Sequence, residues 1–328
     1  MIRFGIIGTN WITEDLIKAA RGIEDFALTA VYSRTEAAGQ QFANKYDIPH
    51  CFTDLETFAN SQELDAVYIA SPNSLHAEQA ILLMNHGKHV LCEKPMASNV
   101  REVDRMFETA KRNGVLLMEA MKSTLTPNFQ AIKDNLHKIG TVRRYFASYC
   151  QYSSRYDEYL KGNILNAFKP EFSNGALMDL GVYCIYPLVV LFGQPEQIQG
   201  SGLILESGVD GQGSILLNYK EMDAVVQYSK ISDSYTSAEI HGEKGTIVFD
   251  KISRPDKVEI RYRGGGIEEI TKPQMDNAMY YEVQEFIHLI QNGFTESSVN
   301  SRINSRTTMA IMDEVRKQIG LVYPADRA

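Results

Sequence analysis

The sequence predicts an α/β protein in two parts: an N-terminal doubly wound parallel sheet of Rossmann type, then an α+β half built on a largely antiparallel open sheet. Three observations predict it. Up to about residue 122, short β-branched runs alternate with amphipathic segments, the rhythm of successive βαβ units. Beyond that point strands follow one another directly and helices interrupt rarely, which favours antiparallel pairing. A glycine turn also joins the first strand to the first helix, the place where open α/β sheets receive phosphate groups. The length of 328 residues suits two domains, divided as 1–122 and 123–328.

In order along the chain, residues 2–7, 27–32, 66–70, 89–92 and 115–118 read as strands with helical patterns between them. A bridging helix is expected over 128–137. The second part offers strands at 141–151, 215–219, 224–230, 238–241, 246–249 and 258–262, and helices at about 176–192, 280–292 and 302–319. No repeat or low-complexity tract is present, so a solenoid or a disordered arm is not indicated.

Composition narrows the function classes. Lys plus Arg is 33 against 41 Asp plus Glu, a net charge of -8, which disfavours nucleic acid or an anionic membrane as a generic partner. The longest apolar runs, such as 184–192, are too short to span a bilayer, and no signal-peptide pattern precedes the first turn. A soluble, cytoplasmic protein is expected. Cys51, Cys92, Cys150 and Cys184 are too widely spaced for a zinc knuckle or a redox pair, and no His/Cys/Asp cluster has metal-ligand spacing.

Four segments carry candidate chemistry. The turn Gly8-Thr9-Asn10-Trp11-Ile12-Thr13 follows a strand and opens a helix, as a dinucleotide fingerprint requires. Asn10 stands where a second glycine is usual and Thr13 where a third small residue is usual; asparagine tolerates left-handed dihedrals, so the turn can survive. After the second strand come Ser33-Arg34-Thr35 instead of an acid. An arginine and hydroxyls suit the 2'-phosphate of NADP(H), whereas an acid would suit the ribose of NAD(H). Pro72-Asn73-Ser74-Leu75-His76 begins a helix after the strand ending at Ala70; Asn73 or Ser74 can cap it, and His76 falls in its first turn. Glu93-Lys94-Pro95 places a lysine at the carboxyl end of a strand, held on a defined turn by the proline, although lysine-proline turns are also ordinary loop features. Finally, Asp179 and Tyr183 are four apart in 174–183, hence on one helical face. They can serve a site together, or as a cap and a core aromatic.

The Gly8 turn, Pro72-Asn73 to His76, Glu93-Lys94-Pro95, Met118-Glu119-Ala120 and the 175–183 segment, in this order and spacing, resemble the Gfo/Idh/MocA family of nicotinamide-dependent sugar and polyol oxidoreductases over nearly the whole chain. A tyrosine at 183, where most members have histidine, resembles the subgroup of glucose-fructose oxidoreductase and the dihydrodiol/D-xylose dehydrogenases. The expected NADP(H) contacts are Gly8, Thr9, Asn10, Trp11, Ile12, Ser33, Arg34, Pro72, Asn73, His76, Glu93 and Lys94; the resemblance agrees with NADP(H) and implies catalysis by Lys94, Tyr183 and Asp179. It also implies reversible hydride transfer to or from a sugar-like alcohol or carbonyl, with a homodimer or higher homo-oligomer joined through the second sheet. Members that bind the dinucleotide without catalysis are the alternative. Thr124 replaces an arginine common in the family, which leaves the substrate open.

Overall fold

The computed structural model describes residues 1–327. The chain divides into two compact units, Met1–Ala120 with Met275–Arg302, and Met121–Gln274 with the residues from Ile303 onward.

The first unit begins β1 (Ile2–Ile7), α1 (Trp11–Ala20), β2 (Phe26–Tyr32), α2 (Glu36–Tyr46), β3 (His50–Phe52), α3 (Leu55–Asn60), β4 (Ala66–Ile69), α4 (Asn73–Asn85), β5 (His89–Glu93), α5 (Val100–Asn113) and β6 (Leu117–Ala120). Its six strands are all parallel, in the order β3-β2-β1-β4-β5-β6. Winding outward from β1 in both directions makes the loops after β1 and β4 part at the carboxyl edge, where such sheets bind ligands. Phe4, Ile6, Val67, Ile69, Val90 and Leu91 are all fully buried, as strands covered on both faces must be. The three-residue β3 was not expected, since so short a run shows no alternation. The last strand is also shifted, from 115–118 to Leu117–Ala120, which puts Glu119 inside it.

The second unit contains α6 (Pro127–Asn135), β7 (Val142–Cys150), α7 (Tyr156–Leu160), a π turn (Leu177–Gly181) running into α8 (Val182–Phe192), β8 (Gln197–Ile204), β9 (Asp210–Asn218), β10 (Asp223–Ser229), β11 (Ala238–Gly242), β12 (Gly245–Phe249), β13 (Val258–Tyr262) and β14 (Ile267–Glu269). The sheet order is β14-β13-β12-β11-β7-β10-β9-β8. Every pair is antiparallel except β7 with β10, so the sheet is mixed. The sequence reading passed over β8, whose Gln and Gly residues break the apolar pattern, and the short β14.

Helix α8 lies on this sheet, with the Tyr145 hydroxyl donating to the Cys184 carbonyl at 3.0 Å. The final helix, α10 (Arg302–Ile319), meets α8 through Tyr186 and Ser305, 2.9 Å apart. It reaches β8 through the Gln318 side chain, which accepts from the Gly200 amide at 2.7 Å. The helical stretch Pro170–Phe192 is long and apolar enough to cross a membrane by length and composition, contrary to the expectation from apolar runs alone, but 72% of its most apolar 18-residue window is buried in the protein, as in a core helix.

Helix α9 (Met279–Gln291) differs from the expected division at 122. It belongs to the first unit, where Phe286 meets Phe4 at 5.9 Å between ring centroids and the Asn277 amide donates to the Asp15 carbonyl at 2.9 Å. Its apolar stripe of Met279, Val283, Phe286 and Ile287 states that the helix has a buried face, not which sheet receives it.

Candidate active site

The glycine turn is built as a dinucleotide turn should be, by partly different means. Gly8 holds φ at 104°, and a Cβ there would come within 2.6 Å of the Ala70 carbonyl oxygen. The loop after β1 therefore passes directly over the end of β4, and only glycine fits. Asn10 does not use the left-handed conformation expected of it. Its backbone is extended, and its side chain caps α1, accepting from the amides of Ile12 at 3.1 Å and Thr13 at 3.3 Å while donating to the Ala70 carbonyl at 2.9 Å. Asparagine thus replaces the missing glycine with a side-chain brace. Trp11 is largely exposed and Thr13 is fully buried. Across the sheet, Ser33 is nearly buried while Arg34 is exposed at the start of α2, a position from which a guanidinium can meet a phosphate. The turn and Arg34 fit a dinucleotide carrying a 2'-phosphate.

Lys94 sits half-buried on a turn braced from several directions. The Glu93 carboxylate receives the Tyr68 hydroxyl on one oxygen and the Lys94 amide, at 3.2 Å, on the other. The Glu119 carboxylate, 2% exposed, accepts from the Met96 amide at 3.0 Å. His76, expected near the ligand crevice, is instead 1% exposed, with its ring nitrogens 3.1 Å from the Pro95 carbonyl and 2.8 Å from the Ser71 carbonyl. Burial pushes its pKa down, and it ties the loop after β4 to the Lys94 turn. At the start of α4 the cap position is Pro72, with no side-chain cap bond, although Asn73 or Ser74 was expected to supply one.

Asp179 and Tyr183 fall on consecutive pieces of one helical run, and not on the single α-helix that their spacing suggested. Asp179 lies on the π turn and Tyr183 in the first turn of α8. π turns within helices are frequent at functional sites. Tyr183 is 8% exposed and packs edge-on against Tyr149 of β7, with ring centroids 5.6 Å apart. The partner of Asp179 is one the sequence reading missed. Lys230, 3% exposed, donates from Nζ to Asp179 Oδ2 at 2.7 Å and lies 5.3 Å from the centroid of the Phe168 ring. A signal existed: Ala224, Val226 and Tyr228 are the inward residues of β10, and period-two alternation puts residue 230 on the same side. Thr124 is 4% exposed, and its hydroxyl donates to the Met121 carbonyl at 2.9 Å, so it does not replace the arginine's reach.

Known proteins resemble this chain along its whole length. Residues 2–121 match the model of an oxidoreductase family with an NAD-binding Rossmann fold, and residues 129–248 match the Gfo/Idh/MocA C-terminal domain. The chain is 60% identical over 328 residues to scyllo-inositol 2-dehydrogenase (NADP(+)) IolU of Bacillus subtilis (strain 168), covering 100% of both chains. It is 32% identical to the trans-1,2-dihydrobenzene-1,2-diol dehydrogenase of Danio rerio, covering 99% of each. Among solved structures, a 3-ketoreductase from Actinomadura kijaniata in complex with NADP and TDP-benzene shares the fold, with a TM-score of 0.84 at 23% identity, covering 97% of this chain and 98% of that one. A full-length relative at such identity, with both domain models matched in order, makes this chain a member of the Gfo/Idh/MocA oxidoreductase family.

Proposed function

We propose that this chain is an NADP(H)-dependent dehydrogenase of a cyclic polyol or similar sugar-like alcohol, with Tyr183 as its acid-base group. The observation that carries the reading is the Asp179 to Tyr183 turn, whose aspartate is pinned by a buried lysine, in a chain that also holds Lys94 on a rigid turn. Substrate class follows the relative at 60% identity, which acts on scyllo-inositol. The binding part is assigned to the residues from Gly8 to Ile12, with Ser33 and Arg34 at the 2'-phosphate and Pro72, Asn73 and Glu93 shaping the adjoining loops. A cytoplasmic setting, where NADP(H) is kept, goes with this reading.

NADP(H), when bound, supplies the acceptor or donor of hydride. The protein's share is orientation and the proton. In oxidation Tyr183 takes the hydroxyl proton, and in reduction it returns it. A free phenol titrates near 10, so losing its proton near neutrality requires a cation, the part assigned to Lys94. Asp179, fixed by Lys230, orients the substrate's hydroxyls.

Tyr183→Phe tests this directly. The ring is kept and the proton removed, so turnover of scyllo-inositol with NADP⁺ is expected to fall by about 10²- to 10⁴-fold while NADPH affinity, by fluorescence titration, is unchanged. Near-wild-type turnover, with a deuterium isotope effect showing chemistry to be rate-limiting, sinks the assignment.

A further inference from the structure

Beneath the turn that presents Asp179 lies a carboxylate that the proposed chemistry does not use. Asp210 opens β9 and is fully buried. Its Oδ2 accepts from the Leu177 amide at 2.7 Å, the first residue of the π turn, so a negative charge faces a helix N-terminus that favours it. Its Oδ1 has no hydrogen-bond partner among the described residues. That oxygen is packed onto Gly175: a Cβ there would lie 2.1 Å from it, and Gly175 holds φ at 143°, where side chains are strained. The chain thus leaves one residue bare so that this carboxylate can reach the turn.

Charged and titratable groups face Asp210 from three directions. Lys230, beyond the end of β10, interacts favourably with it while donating to Asp179. Tyr228 of β10 and Tyr323 near the C-terminus both have their phenols pushed up, by burial first and then by the Asp210 charge. Tyr323 donates to the Asn174 carbonyl at 2.8 Å, next to the same turn. Burial pushes the Asp210 carboxyl up to about 6, against the opposing pull of backbone amides and Lys230.

We propose that Asp210 is a positioning residue of the active site: its carboxylate anchors the turn presenting Asp179 and Tyr183, and shares Lys230 with Asp179. The proposal rests on the assignment of those two residues to the chemistry. Protonation of Asp210 replaces a charged cap with a neutral one and leaves Lys230 with a single counter-charge, so the turn loosens. Turnover therefore declines as pH drops through about 6, whereas NADP(H) binding, assigned to residues of the first unit, does not change.

The test compares kcat and KM for scyllo-inositol and NADP⁺ from pH 5 to 9 in wild type and Asp210→Asn. The expected result is an acid limb in wild-type kcat near pH 6 that is absent from the variant. Variant kcat at pH 8 should be lowered by about 10- to 100-fold, the worth of a charge-assisted hydrogen bond, with KM for NADP⁺ unchanged. A limb that persists in Asp210→Asn, or none in wild type, overturns the proposal. Should the variant not fold, a ¹³C titration of aspartate carboxyls in the wild-type enzyme replaces it: a carboxyl titrating in step with the kcat limb supports the proposal, and none overturns it. The two readings fail separately. An active Tyr183→Phe at pH 8 removes the proton relay and leaves the acid limb, whereas an acid limb indifferent to Asp210 leaves Tyr183→Phe inactive.

Discussion

Single residues carry the proposed selectivity and the electrostatics. Arg34 stands exposed after β2, where an acid would read the ribose of NAD(H). Arg34→Ala should weaken NADP(H) binding by about 10- to 100-fold, the cost of losing charge-assisted bonds to a phosphate, and leave NAD(H) binding nearly unchanged; equal wild-type affinity for the two cofactors would refute the assignment. Asp210 makes the opposite kind of statement, about stability. Its folded pKa of about 6 lies above the ordinary 3.8, so its contribution to stability is fully present below about 4 and is lost as pH rises through 6. The difference of roughly two pKa units corresponds to ~3 kcal/mol as an order of magnitude. Urea melts of Asp210→Asn should accordingly lack that decline, so that wild type loses stability relative to the variant between pH 4.5 and 7.5. Keeping a costly carboxylate is what a site does when position matters more than stability.

Elements hold these residues in place, and each does so through a few local bonds. The first βα turn depends on Asn10, which caps α1 and also grips the end of β4. Asn10→Ala should cost about 1 kcal/mol of stability, as loss of a cap does, and Asn10→Gly less, because glycine is itself an acceptable cap. Equal losses for the two variants in chemical denaturation would show that the bond to Ala70, absent from both, outweighs the cap. The Lys94 turn is held by Glu93, Glu119 and His76, none of which needs to touch a ligand to matter. The alternation of β10 announced Lys230 as an inward residue, although nothing local named its partner.

At the scale of the molecule, one face of the second unit's sheet carries α8, and α10 reaches the same side through β8. The other face presents Phe146, Val225 and Leu216, which lie side by side on β7, β10 and β9 by register, with Leu216 36% exposed. This short apolar row is the part of the face proposed to meet a second copy, with two-fold pairing as the simplest closure. Light scattering at micromolar concentration should report a dimer, and Leu216→Lys should shift it towards monomer; a wild-type monomer would count against the surface.

The sequence by itself determined the two sheets, the glycine turn and the place of Lys94 at the end of β5. Each of these follows from periodicity or spacing within a few residues, which the backbone geometry of strands and helices converts directly into position. The tertiary structure decided the rest. It alone joined Lys230 to Asp179 across 51 residues and Asp210 to Leu177 across 33, returned α9 to the first unit, and buried His76 between two carbonyls. These pairings depend on which surfaces the packed elements bring together, and an amphipathic pattern specifies that a face is buried without specifying its partner.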